Sequence, residues 1–162
     1  MSVLLRDVTQ DNWRIALRLT VHPDQQRFVA DYAPVAALAL TKAYIRPNDY
    51  HYRPLLAYTD SDAVGFLLLG IPPRNRDEIW LYHFFIDQAF QHQGHGSTIL
   101  TALCTFVQNT YPSIKQLNLT VHPENQVAQR LYLRFGFQAS GEYRDNEPIY
   151  QLYLPKDKQS RE

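Results

Sequence analysis

Two glycines stand two residues apart in a polar segment, Gln91-His92-Gln93-Gly94-His95-Gly96, between an apolar run and an amphipathic stretch. The pattern predicts a strand, a loop and a helix whose first turn has backbone N–H groups without partners inside the helix. These groups and the helix dipole attract anions, and glycine lets phosphate oxygens approach the backbone closely. The segment therefore predicts a phosphate-binding loop, although an ordinary surface turn that contains glycine has the same local pattern.

Two other phosphate-binding loops fit the segment poorly. A Walker A loop ends in Gly-Lys-Ser or Gly-Lys-Thr, but Ser97 directly follows Gly96 here. A dinucleotide fingerprint has a glycine or alanine where this chain has Ile99. The first loop is therefore excluded and the second is disfavoured.

The loop needs a strand before it and a helix after it, and the chain predicts both. The apolar run at 79–87 suits a central strand, and Ile99, Leu103 and Val107 fall on one helical face. The predicted elements follow the order β, α, α, β, β, β, α, β, α, β, β. An antiparallel meander followed by a βαβ unit predicts the α/β (α+β) class, with a mixed, mostly antiparallel central sheet and helices on both faces.

Length and composition limit the number of domains, the expected partners, the compartment and the cofactors. The 162 residues suit a single domain over 1–162, with a polar tail at 155–162. Lys plus Arg equal Asp plus Glu at 16 each, so neither nucleic acid nor a membrane is an expected partner. One cysteine and the absence of any apolar run near the roughly 18 residues of a membrane span favour a cytoplasmic protein. The six histidines form no ligand pattern, so no metal is expected.

A second block supports the interpretation of the glycine loop. The segment Gln91-x-x-Gly94-x-Gly96 resembles the acetyl-CoA signature of the GNAT acetyltransferases. Farther along the chain, "NQVAQRLYLRFGF" resembles a second block of that family, through Asn125, Tyr132 and the triplet Phe135-Gly136-Phe137. The order of elements agrees as well, so the resemblance covers nearly the whole chain. Within the family, the chain is most similar to bacterial spermidine/spermine-type (diamine) acetyltransferases.

The resemblance implies acetyl-CoA as the acetyl donor. Loop amides would hold its pyrophosphate, and its pantetheine arm would lie between two parallel strands that splay apart, "HFFID" and "LNLTV". A backbone N–H near Phe85 or Ile86 would polarise the thioester carbonyl. The implied cofactor-binding residues are Phe85, Ile86, Gln91, Gln93, Gly94, His95, Gly96, Ser97 and Asn125. The loop lacks Lys and Arg, so His92 and His95 are its only side chains that can become cationic.

Tyr132 matches the family tyrosine that protonates the leaving thiolate. Its spacing from Ala128 and Phe135 also fits a buried core stripe, and Asn125 can equally be a helix N-cap. The general base is less clear, because Trp80 occupies the strand position where some members carry glutamate. His83 is the candidate base, and a hydrogen-bonded core histidine or a water chain are the alternatives.

The last hairpin is the candidate acceptor site. Glu142 and Glu147 lie near Tyr143 and Tyr150 in sequence, and carboxylates with aromatic walls suit a cationic amine. An ordinary charged hairpin turn explains the same residues.

Two functions from different classes remain open. The chain is expected to acetylate a primary amine such as a polyamine, an amino acid, an antibiotic amine or a protein N-terminus. Alternatively it is a non-catalytic CoA-binding sensor domain that has lost its base. The expected partners are a small-molecule amine and a second copy of the chain in a homodimer.

Overall fold

The computed structural model describes residues 2–30 and 34–156. The predicted order of elements is confirmed, and a short helical segment is added between the first two predicted helices. It consists of a 3₁₀ turn, Pro23–Gln25, and a helix of four residues, α2. The predicted tail, 155–162, lies mostly outside the described residues. The elements are β1 Leu4–Asp7, α1 Trp13–Arg18, α2 Gln26–Val29, α3 Val35–Ile45, β2 His51–Thr59, β3 Asp62–Ile71, β4 Glu78–Ile86, α4 His95–Thr110, β5 Gln116–Thr120, α5 Gln126–Phe135, β6 Gln138–Arg144 and β7 Glu147–Tyr153.

The seven strands form one mixed sheet in the order β1-β2-β3-β4-β5-β7-β6. Only β4 and β5 pair in parallel, and the other neighbours are antiparallel. The crossover between these two parallel strands is α4, as the βαβ rule requires. The predicted mostly antiparallel sheet is therefore confirmed.

Both faces of the sheet are covered by helices because both are apolar. The strands direct alternate residues to opposite faces, so Leu67, Leu81 and Leu119 pack with α4 and α5. Phe66 and Leu68 point the other way and pack with the segment that contains α1, α2 and α3. All five of these side chains are almost completely buried.

The parallel pair opens into a fork. Pairing between β4 and β5 ends at Leu81 and Leu119, although β4 continues to Ile86. Beyond that point β4 contains a bulge: the register against β3 shifts, so that His83 and Phe84 together lie opposite Leu67. His83 has a φ of 50°, which is uncommon for any residue other than glycine. Because a bulge bends its strand, it moves the end of β4 away from β5 and opens the fork.

Asp87 fixes the end of β4. Its side chain is buried and accepts the backbone N–H of Thr20 at 2.9 Å and that of Ala89 at 3.0 Å. Its own N–H donates to the carbonyl of Val64 at 2.9 Å. The carboxylate thus ties the fork to the connection between α1 and α2, 67 residues away in sequence.

We expect Asp87→Ala to lower the free energy of unfolding by about 1–3 kcal/mol, because it leaves two partly buried N–H groups without their acceptor. Chemical denaturation measures this change. Asp62→Ala removes an exposed carboxylate and should change the free energy of unfolding by less than about 0.5 kcal/mol. Equal values for the two variants would mean that water replaces the Asp87 contacts.

Candidate active site

A cavity of about 760 Å³ passes through the fork. Its walls are the end of β4, the beginning of α4, the inner side of α5, and the segment around α2, which packs on the other face of the sheet. Most of the predicted cofactor-binding residues meet there. Those that line the cavity are Phe85, Ile86, Gln91, Gly94, His95, Gly96, Ser97 and Asn125, and the predicted catalytic residue Tyr132 lines it too. Gln93 lies on the same loop but is not part of the lining.

The beginning of α4 is open to an anion. Gly94 occupies the N-cap position with a φ of 82°, and no side chain caps the helix. The hydroxyls of Ser97 and Thr98 donate to the carbonyl of Gly94 and leave the N–H groups of the first turn uncapped. A Cβ placed on Gly94 would meet no atom within 4 Å, so this side of the loop can accept a ligand. The geometry fits a phosphate group.

Gly96 lines the cavity and also faces α5. A Cβ at this position would lie 2.9 Å from Cδ2 of Leu131, on α5. The missing side chain therefore leaves room for the end of the Leu131 side chain between α4 and α5.

The two loop histidines differ in their surroundings. His95 is 5% exposed, packs edge-on against the ring of Phe90, and its buried Nδ1 has no hydrogen-bond partner. Because His95 lines the cavity, a ligand there is suited to supply the missing partner. His92 is exposed and also lines the cavity.

Two arginines that were not among the predicted site residues line the cavity from α5. Arg130 and Arg134 are four residues apart, so they lie on one face of the helix and supply the cationic charge that the loop lacks. Their spacing of four residues is present in the sequence and indicates a shared helix face, whereas the resemblance to the family points to Tyr132 on this helix.

Backbone direction decides which amides of β4 face the cavity. The N–H of Asp87 and the carbonyl of Phe85 point toward β3. Strand groups alternate in direction, so the N–H groups of Phe84 and Ile86 point the opposite way, toward the fork. The carbonyl of Ile86 confirms this direction, because it accepts the side chain of Gln91 at 3.1 Å. Of the two amides expected from the sequence, that of Ile86 faces the cavity.

Tyr132 lies in the cavity wall and is only 7% exposed. Its ring packs edge-on against Phe137 at 5.5 Å. Burial raises the pKa of its hydroxyl well above the ordinary value, so the group remains protonated and can donate. Asn125 is the N-cap of α5, because its side chain accepts the N–H of Ala128 at 3.2 Å, and it also lines the cavity.

The other predicted residues lie outside the cavity. His83 bonds to the carbonyl of Val29 through Nδ1, at 2.5 Å, and to Nζ of Lys42 through Nε2, at 2.8 Å. A carbonyl only accepts and an ammonium group only donates, so Nδ1 carries the hydrogen and Nε2 accepts. Glu142 is exposed and Glu147 is half-buried, both on the β6–β7 hairpin.

Trp80 occupies the position on β4 where the resemblance implies a glutamate in some family members. It is 4% exposed and donates from Nε1 to Glu78 at 3.3 Å. The other carboxylate oxygen of Glu78 accepts Nδ2 of Asn118 at 2.9 Å. Glu78 is therefore held beside Trp80 at the beginning of the strand.

Comparisons with known proteins agree with this geometry. The model of the acetyltransferase (GNAT) family matches residues 19–137. The chain is 32% identical over 149 residues to spermine/spermidine N(1)-acetyltransferase of Bacillus subtilis (strain 168), which covers 88% of this chain and 91% of that protein.

Solved structures show the same fold. A spermidine N-acetyltransferase from Vibrio cholerae, in complex with CoA and spermine, has a TM-score of 0.72 and 17% identity over 96% of this chain and 97% of the other. The aminoglycoside acetyltransferase AAC(6')-Ib, in complex with coenzyme A, has a TM-score of 0.74 and 16% identity over 94% and 95% of the two chains. Within residues 2–30 and 34–156, no helix is long and apolar enough to cross a membrane.

We expect Gly94→Val to weaken coenzyme A binding tenfold or more, equal to about 1.4 kcal/mol, because the side chain covers the loop surface that is open to phosphate. Isothermal titration calorimetry measures the affinity. Gly141→Val is the matched control, since Gly141 also has a positive φ, 84°, and open space around its Cβ, but lies outside the cavity. Equal affinities in the two folded variants would remove the phosphate role of Gly94.

Proposed function

The chain belongs to the GNAT family of acetyl-CoA-dependent N-acetyltransferases, and from this premise we propose that it acetylates a primary amine of a polyamine. The observation that carries the chemistry is a single cavity in which an uncapped helix N-terminus, unpaired strand amides and a protonated tyrosine meet. The choice of a polyamine is supported by the similarity to the spermine/spermidine N(1)-acetyltransferase, which extends over 88% of the chain.

Acetyl-CoA supplies an activated acetyl thioester. In the proposed complex the N–H groups at residues 93–97 and the α4 dipole hold its pyrophosphate. Arg130 and Arg134 add positive charge from the facing helix. The unpaired edge of β4 in the fork offers backbone groups to an extended arm, much as an added strand would pair.

The amides of the fork act on the thioester carbonyl. We assign this role to the N–H groups of Phe84 and Ile86, because both point into the fork. A fixed N–H group in a partly enclosed cavity needs no reorganisation when charge develops on the oxygen, so it stabilises the tetrahedral intermediate.

Tyr132 is the proposed general acid. The amine nitrogen attacks the carbonyl carbon, the carbon–sulfur bond breaks, and the Tyr132 hydroxyl gives its proton to the departing thiolate. The new amide nitrogen releases its extra proton to water, and the Tyr132 phenolate takes a proton back from water. The enzyme needs no covalent intermediate. Cys104 is poorly suited to form such an intermediate, since burial raises the pKa of its thiol to about 11 and makes it a poor nucleophile.

The acceptor ammonium must lose a proton before it attacks. His83 was the candidate base, but its Nε2 already accepts from Lys42, and it does not line the cavity. We therefore propose that water in the cavity removes the proton and that His83 is a positioning residue, joining α2 and α3 to the bulge. Because the single cysteine precludes an internal disulfide, we also propose the cytosol as its compartment.

A panel of amines tests the acceptor. Spermine, spermidine, a diaminobutyrate, an aminoglycoside and a peptide N-terminus would each be incubated with acetyl-CoA. Mass spectrometry would identify the product, and a thiol assay would follow the release of CoA. We expect acetylated polyamine at the highest kcat/KM. Release of CoA with another amine alone would overturn the polyamine assignment, and no release with any amine would favour a sensor domain.

Tyr132→Phe should lower kcat roughly 10²-fold, within the usual range for general acid catalysis, while the KM for acetyl-CoA changes little. Steady-state kinetics measures both. Tyr150→Phe removes a comparably buried hydroxyl from the core outside the cavity and should leave kcat unchanged. A normal kcat for Tyr132→Phe, with chemistry rate-limiting, would show that water protonates the thiolate.

A further inference from the structure

A group of stacked rings lies beside the fork, on the face of the sheet opposite α5. Tyr52, Trp80 and Tyr82, here called the aromatic shelf, point to that face from β2 and β4. The ring centroids of Trp80 and Tyr82 are 6.2 Å apart with planes at 17°, and those of Tyr52 and Tyr82 are 6.0 Å apart. Gly70 makes room for them, because a Cβ there would lie 2.6 Å from Cε2 of Tyr82 and 3.2 Å from Cε1 of Tyr52.

The shelf already holds a cation of the chain itself. The guanidinium carbon of Arg144 lies 3.6 Å from the centroid of the Trp80 ring, and Nη1 donates to the hydroxyl of Tyr82 at 3.0 Å. Nζ of Lys42 lies 5.5 Å from the centroid of Tyr82. Both contacts have the geometry of cation–π interactions, so the shelf is a surface suited to cations.

Arg144 reaches the shelf only because its hairpin curls over the sheet. Its strand, β6, is separated from β4 by β5 and β7, three strand spacings or roughly 14 Å. The register of β6 shifts between Ala139 and Tyr143, around Gly141 with its φ of 84°. Such a bulge bends the strand and redirects the side chains beyond it. Within the described part of the chain, no carboxylate lies within ion-pair distance of Arg144.

A fixed carboxylate closes the end of the shelf. Glu78 is half-buried, and its two oxygens accept from Trp80 and Asn118. Neutral donors thus hold it, and among the described residues no basic side chain forms an ion pair with it. A cation on the shelf would therefore find ring faces and a negative charge together.

The shelf and the fork follow one another along β4. Tyr82 comes directly after the last residue paired with β5, and Trp80 precedes Phe84 by four residues, roughly 13 Å of strand. An amine at the fork can therefore reach the shelf with a second ammonium group if its chain is long enough. A monoamine cannot make both contacts.

We propose that the aromatic shelf with Glu78 binds a distal ammonium group of the polyamine acceptor, and that Arg144 occupies this subsite in the absence of acceptor as an internal competitor. The proposal rests on the polyamine function above. Its consequence is unusual for a binding site: the acceptor must displace Arg144, so measured affinity reflects the difference between the two cations. Removal of Arg144 should therefore improve binding.

The first experiment compares Arg144→Gln with the wild type. Calorimetry with spermine, in saturating coenzyme A, should give a dissociation constant about twofold to fivefold lower for the variant, the scale of one exposed cation–π contact. The KM for spermine should fall by a similar factor while kcat stays within about twofold, and the KM for butylamine should not change. Arg74→Gln removes an exposed positive charge elsewhere and controls for general electrostatics.

A second variant tests the shelf itself. Trp80→Leu in the Arg144→Gln background should abolish the gain in affinity for spermine. An unchanged or weaker affinity for spermine in Arg144→Gln would overturn the proposal. A loss confined to amines that carry a carboxylate would overturn it too, since Arg144 would then recognise an anionic acceptor.

The binding measurement separates this proposal from the function on which it rests. If spermine binds more tightly to Arg144→Gln but is not acetylated, the polyamine reaction is wrong and the cation subsite stands. If spermine is acetylated well and both proteins bind it equally, the subsite is wrong and the reaction stands.

Discussion

The interruption of pairing between β4 and β5 is the constraint on which the site depends. Buried backbone N–H and carbonyl groups need partners, so a gap between two central strands is costly unless a ligand or water fills it. The bulge at His83 and Phe84 bends β4 and keeps the gap open. Two hydrogen bonds to residues distant in sequence hold the bent strand in place: Asp87 accepts from Thr20, and His83 bonds to the carbonyl of Val29. The strained end of β4 thus lowers stability, and it also exposes the Phe84 and Ile86 amides.

The helices on the other side of the fork convert this gap into a reaction site. Gly96 allows Leu131 to approach α4, and Tyr132 is the next residue on α5. The anion-binding loop is therefore in contact with the helix that carries the proposed acid. Tyr132 lies on the same helix as Arg130 and Arg134, so one element carries both the proposed proton donor and the two arginines that line the cavity.

The sequence predicted what local patterns determine. The period of apolar residues identified the strands and helices, and the two motif blocks placed Gly94 and Tyr132 in one cavity. Contacts between distant segments were not predictable in this way. The positive φ of His83, the packing of Gly96 on Leu131 and the reach of Arg144 to Trp80 all depend on how the sheet bends. Arg130 and Arg134 are an intermediate case, since the sequence contains their helical spacing but does not show what their shared face contacts.

The two faces of the fork offer different groups to the two proposed substrates. The donor carries phosphates and the proposed acceptor carries ammonium groups, so the two would attract each other in an unstructured cavity. Arg130, Arg134 and the α4 dipole place positive charge on one face of the sheet. Glu78 and the aromatic shelf suit cations on the opposite face. The net charge of the chain is zero, so a global field does not steer the two substrates, and we attribute their separation to these local groups.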